Sequence, residues 1–141
     1  VGEGPKPGAG YSGTPLLAKL GVKPGHRVFA VRAPANLTDL LGPLPEGVQM
    51  VGRATDNLDI VLCFCTRRAE LEKDLARLVP RLVPAGMFWA AWPKKASKVP
   101  TDITEDTVRE VALPRGLVDT KVCAIDETWS GLRLVRRREL R

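Results

Sequence analysis

The stretch LDIVLCFC, Leu58 to Cys65, is an apolar run bounded by polar residues. Runs of this kind suit strands of a parallel sheet that are buried on both faces. The next residues, TRRAELEKDLARLVPRLVPAG, place Leu71, Leu75, Leu78, Val79 and Leu82 at helical spacing. Thr66 is positioned to cap this helix, Pro80 to kink its last turn, and Pro84 with Gly86 to end it. MFWAAW, Met87 to Trp92, reads as the next buried strand. A strand, an amphipathic helix and a second strand in this order make a parallel pair joined by a crossover.

The pattern continues in both directions. Upstream, SGTPLLAKLG is a short helix in which Thr14 caps, Pro15 suits the first turn and Gly21 stops the chain. HRVFAV is a first strand, PANLTDLLG a second short helix closed by Gly42, and VQMVG a weak strand. Downstream, Thr104 caps a helix from about Glu105 to Leu113, with Glu105 and Asp106 in its first turn and Ile103 placed to staple onto Val108. DTKVCAID and GLRLVRR are the last strands, and ETWS between them is short enough for a hairpin. Strand and helix alternate and then the chain closes in a hairpin. This predicts an α/β fold: an open, mostly parallel sheet with helices on both faces and a C-terminal antiparallel hairpin. Residues 1–10, rich in Gly, Pro and Ala, read as a flexible arm, and residues 11–141 as a single α/β domain.

Composition narrows the function classes. The chain has 141 residues, 44% hydrophobic and 27% charged, as a soluble globular domain does. No apolar run approaches the roughly 18 residues a membrane span needs, and the N-terminus has no apolar core for a secretion signal. Cys63, Cys65 and Cys123 lie in apolar runs and read as reduced core residues of a cytoplasmic protein. Zinc is not expected, because the only histidine, His26, stands alone in a KPGHR turn. Of the net charge of +6, the terminal RLVRRRELR supplies +4 from five arginines and one glutamate. No aromatics interleave with these arginines, so a solvated strand end is favoured over a nucleic-acid contact.

LGVKPGHRVFAV resembles the entry to the first strand of Rossmann-like methyltransferases that use S-adenosylmethionine. LDIVLCFC through MFWAAW resembles their fourth strand, following helix and fifth strand, and the terminal hairpin is similar to their sixth and seventh strands. The motifs GYSGTPL, WPKKAS and CAIDETWSGLR also resemble those of a small bacterial family to which no activity attaches. What the resemblance implies is a Rossmann-like, methyltransferase-like fold. The cofactor loop departs from it. Those enzymes follow the first strand with a glycine-rich turn, so that backbone can approach the cofactor without a Cβ in the way. Here FAVRAPANL has no glycine, and VQMVGRAT offers no acid to bind a ribose. The expectation is therefore a non-catalytic module without a cofactor, possessing a site for an anionic small molecule or a protein partner.

In open α/β sheets ligands bind beyond the carboxyl ends of the parallel strands. PKKASK leaves MFWAAW at that edge, and DETWSG leaves TKVCAI there. If the two strands are adjacent, Lys94, Lys95 and Ser97 lie near Asp126, Glu127, Trp129 and Ser130. These are the candidate binding residues. The alternative is a small enzyme in which Lys94 or Lys95 holds an acidic substrate while Asp126 or Glu127 moves a proton. A plain surface charge pair also accounts for the same residues.

Overall fold

In the computed structural model, six strands form one sheet in the order β2-β1-β3-β4-β6-β5, with residues 15–141 described. The strands are β1 (Arg27–Val31), β2 (Gln49–Val51), β3 (Leu58–Phe64), β4 (Leu82–Pro93), β5 (Leu117–Ala124) and β6 (Trp129–Arg136). β2, β1, β3 and β4 run parallel, while β6 is antiparallel to both of its neighbours, β4 and β5. The α/β sheet with its antiparallel C-terminal hairpin is as the residue pattern predicts. The arm and the Thr14 cap lie outside the described residues.

β3 is buried on both faces because each face carries its own helical layer. Ile60, Leu62 and Phe64 point to one side, where α1 (Leu16–Leu20) and α2 (Leu37–Leu41) bring Leu20, Leu37 and Leu41. Val61, Cys63 and Cys65 point to the other, where α3 (Arg68–Leu78) and α4 (Glu105–Ala112) bring Leu71, Leu75, Val108 and Val111. The three cysteines are unpaired and buried. Trp89, fully buried, donates its indole N–H to the Leu20 carbonyl at 2.9 Å and so fixes α1 against the sheet.

Four local details depart from the sequence expectation. α3 ends at Leu78, and a 3-10 turn over Val79–Arg81 leads into β4 at Leu82, so Pro84 and Gly86 lie in the strand. There Leu58 pairs with Leu82 but Ile60 with Met87, so residues 83–86 bulge out of register. Proline without an N–H is tolerated at such a bulge. α3 is not capped by Thr66. Glu70 instead reaches back to the Thr66 and Arg67 N–H groups at 3.1 and 3.3 Å, and Asp102, from far along the chain, accepts the Arg68 N–H at 2.6 Å. Finally, the hairpin puts β6 between β4 and β5, so those two strands are not neighbours. The cap of α4 is as expected: Thr104 Oγ1 accepts the Thr107 N–H at 3.2 Å.

From β2 the chain returns to β3 through residues 52–57, with no helix in between. Val51 and Ala54 of this return pack against the α3–α4 core. β1 therefore has a short loop, rather than a helix, beside it on that face.

Candidate functional site

The carboxyl edge of β4 opens into a cleft of about 630 Å3. Trp92, Pro93, Val99, Pro100 and Ile103 give it apolar walls, and Lys94, Lys95 and Lys98 bring positive charge. β4 delivers the first two lysines, because Pro93 ends the strand and a 3-10 turn over Lys95–Ser97 follows. Lys98 ends that turn with φ 62°, a left-handed conformation that swings the chain back along the edge. Ser130 and Glu105 also reach the cleft, and Glu105 is ion-paired with Arg109.

The lysines meet the hairpin turn even though β4 and β5 are not adjacent. The Lys94 N–H donates to the Thr128 carbonyl at 2.7 Å, because β6 pairs directly with β4. The other sequence-derived candidates are placed as follows. Asp126 accepts the Thr128 and Trp129 N–H groups, both at 2.8 Å, and so shapes the turn. Glu127 is exposed. Trp129 packs edge-on against Phe64, ring centroids 5.1 Å apart. Ser97 donates to the Lys94 carbonyl at 2.6 Å and accepts the Val99 N–H, holding the loop's shape. Of the candidates, Lys94, Lys95 and Ser130 line the cleft, whereas Asp126, Glu127, Trp129 and Ser97 are not among its lining residues.

The far wall of the cleft is tied to the scaffold. The Thr66 carbonyl, just beyond β3, accepts both the Thr101 hydroxyl at 2.6 Å and the Asp102 N–H at 3.2 Å. Sequence reasoning missed Thr101, Asp102 and Lys98. An Asp-Ile-Thr-Glu stretch before a helix signals the cap of that helix, and nothing local says that Asp102 caps a different one.

The turn after β1 is where a glycine-rich loop was missed. Arg32 takes φ 52° there, so the backbone makes a left-handed turn without glycine. Its side chain is drawn onto the α3 face: Nε donates to the Phe64 carbonyl at 2.8 Å, and Nη2 pairs with Asp74. Asp74, 2% exposed, also accepts Arg77 Nε at 2.9 Å and the Cys63 thiol at 3.4 Å. Burial pushes the Asp74 carboxyl up, but hydrogen bonds from Arg32 and Arg77 outweigh it and hold it below the ordinary carboxylate range. The hydrogen bond with Cys65, and burial after it, push the Cys63 thiol well above its ordinary value.

The terminal arginines are structural in part. Arg136 donates to the carbonyls of Val79, Leu82 and Val83 at 2.6, 3.3 and 2.9 Å. Arg133 lies over the Trp89 ring at 6.0 Å and donates to Thr120.

No protein-family model matches the chain, and no curated protein matches it in sequence. The resemblance to a small bacterial family through GYSGTPL, WPKKAS and CAIDETWSGLR thus gains no support. Solved structures do match. A SAM-dependent methyltransferase from Aquifex aeolicus superposes with a TM-score of 0.57 at 14% identity over 84% of this chain and 86% of its own. The N-methyltransferase NodS from Bradyrhizobium japonicum, also solved with S-adenosyl-l-homocysteine, gives 0.56 at 12% identity over 86% of this chain and 90% of its own. TrmN from Thermus thermophilus gives 0.56 at 12% identity over 86% of this chain, which spans only 47% of its length. Aeropyrum pernix fibrillarin, solved with S-adenosyl-L-methionine bound, gives 0.56 at 14% identity over 89% of this chain and 70% of its own. These findings correct the expectation of a non-catalytic module without a cofactor. That expectation rested on a missing glycine loop. Solved neighbours that cover most of both chains include S-adenosylmethionine-dependent methyltransferases that share this sheet, and Arg32 makes the turn after β1 in the left-handed region without glycine. At these identities it is the fold that is shared: the chain has the Rossmann-like sheet of S-adenosylmethionine-dependent methyltransferases.

Proposed function

We propose that the chain catalyses methyl transfer to a small anionic acceptor held in the cleft beyond β4. The observation that carries this reading is the cleft itself: about 630 Å3, apolar on its walls, with Lys94, Lys95 and Lys98 at its rim. Its size is that of a small-molecule site, and it opens at the strand edge where α/β sheets bind ligands. Support for the reaction type comes from the neighbours' shared fold. The residues that would hold S-adenosylmethionine are the backbone of Arg32 and Ala33, beyond β1. The left-handed turn fits this role, because the Arg32 side chain is held against Phe64 and Asp74 on the α3 face. When bound, the cofactor supplies an activated methyl group. No carboxylate follows β2 directly, so a bound cofactor's ribose would lack the usual acid there.

The chain's own residues act on the acceptor. The lysines attract a carboxylate or phosphate and fix which end of the acceptor faces the wall. Trp92, Val99, Pro100 and Ile103 displace water from its apolar part, which strengthens each charge interaction.

The test combines calorimetric titration of S-adenosyl-l-homocysteine with transfer of a labelled methyl group to a panel of carboxylate- and phosphate-bearing small molecules. Expected are saturable binding, and labelling that falls at least about tenfold in the Lys94→Ala, Lys95→Ala double variant, since each charge-assisted bond contributes about 1.5–3 kcal/mol. Stability should change by no more than about 0.5 kcal/mol in that variant, as for other surface positions. Absence of cofactor binding at millimolar concentration overturns the reading.

A further inference from the structure

A second cavity, of about 460 Å3, opens on the α3 face, and every residue lining it is ionisable: Arg32, Glu70, Lys73, Asp74 and Arg77. It exists because no helix stands between β2 and β3, so the flank of α3 beside β1 is open. The charges are not scattered. Asp74 is buried and uses its two oxygens separately, Oδ2 for Arg32 and Oδ1 for Arg77. One carboxylate thus holds two guanidiniums side by side and fixes their orientation. Glu70 is committed to the N–H groups at the start of α3. Both guanidiniums remain about two-fifths exposed, at 39% and 42%. Among the described residues, no hydrogen bond or ion pair engages Arg32 Nη1, the Arg77 Nη1 and Nη2 groups, or Lys73 Nζ.

We propose that this cavity is a phosphate-binding site, separate from the cleft beyond β4. Two guanidiniums, each anchored by Asp74, and one ammonium line the cavity together. A tetrahedral oxyanion with several acceptor oxygens meets that arrangement better than a planar carboxylate does. Three cations face two carboxylates in the cavity wall, both of them already paired, so one surplus positive charge is left to favour an anion. The cavity is also roomy enough for the organic part of a phosphomonoester. Asp74 acts here as a positioning residue: it is turned toward the arginines and does not meet the ligand.

The experiment follows the Nε–Hε signals of Arg32 and Arg77 by NMR while inorganic phosphate, and separately phenyl phosphate, is titrated at constant ionic strength set with chloride. Matched ionic strength removes general screening from the comparison. Expected is saturable movement of both signals, with affinity about tenfold weaker in Lys73→Ala and in Arg77→Gln, and unchanged in the Lys94→Ala, Lys95→Ala variant. Lys73→Ala breaks no bond among the described residues and keeps the test sound if Arg77→Gln unfolds the chain. Movement that tracks chloride equally overturns the proposal. So does affinity indifferent to Lys73, or lost with Lys94 and Lys95. The proposal does not depend on methyl transfer, so failure of either reading leaves the other standing.

Discussion

Arg32 performs two jobs that pull in opposite directions. Its left-handed backbone costs a non-glycine residue about 1–2 kcal/mol, while its side chain bonds the Phe64 carbonyl and the Asp74 carboxylate. Hydrogen bonds to charged groups contribute about 1.5–3 kcal/mol each. The side chain therefore wins, and Arg32→Gly should lower unfolding free energy by about 2 kcal/mol despite relieving the backbone. A stabilised glycine variant in urea titration would show that the bonds are weak. Asp74 gives a second test, through pH. Its folded pKa is depressed, so its contribution is present above the ordinary carboxylate value and is lost as pH falls through the folded value. Asp74→Asn should be less stable than the parent by about 3 kcal/mol at neutral pH. The gap should narrow in thermal melts as pH drops below about 4.

The elements are joined by bonds that cross between them, and the arginine-rich end of the chain shows how. β6 carries Arg136 to the 3-10 turn after α3 and the first residues of β4, where it bonds the carbonyls of Val79, Leu82 and Val83. Arg136→Ala should cost about 2 kcal/mol in chemical denaturation. Arg137→Ala, which removes an exposed pair with Glu139, should cost under about 0.5 kcal/mol. Equal effects would mean that the tail is merely solvated. From sequence, this end of the chain is a charge run, since the carbonyls it caps are more than fifty residues away. The same limit governed the rest of the reading. Period and caps within one element were legible: the buried β3 run, the Thr104 cap, the ETWS hairpin. Features set by distant partners were not: the Asp102 cap on α3, the β4 bulge, the placement of β6. The place of Lys94, Lys95 and Ser130 at the cleft was legible because strand ends are legible. The turn bonds of Asp126 and the edge-on contact of Trp129 were not, because neither leaves a periodic trace.

At the scale of the whole molecule, β3 feeds both cores. Ile60, Leu62 and Phe64 serve one face and Val61 and Cys63 the other. Neither helical layer can detach without exposing this strand, which predicts one cooperative transition. Near-ultraviolet dichroism and far-ultraviolet dichroism should give coincident unfolding curves for residues 15–141. Separated curves would mean that the α1–α2 layer melts by itself.

The stitching of Thr101 and Asp102 to the end of β3 has a kinetic side. An irregular segment ordinarily exchanges its amide hydrogens within seconds, yet the Asp102 N–H is bonded to Thr66 and the Arg68 N–H to Asp102. Both amides should exchange measurably more slowly than unbonded loop amides, which hydrogen exchange read by NMR would check. The cleft wall at Thr101, beside them, is then a fixed wall and not a gate. On the proposed reading, an acceptor would meet a recess already in its final shape, its arrival timed by diffusion and by the pull of the lysines.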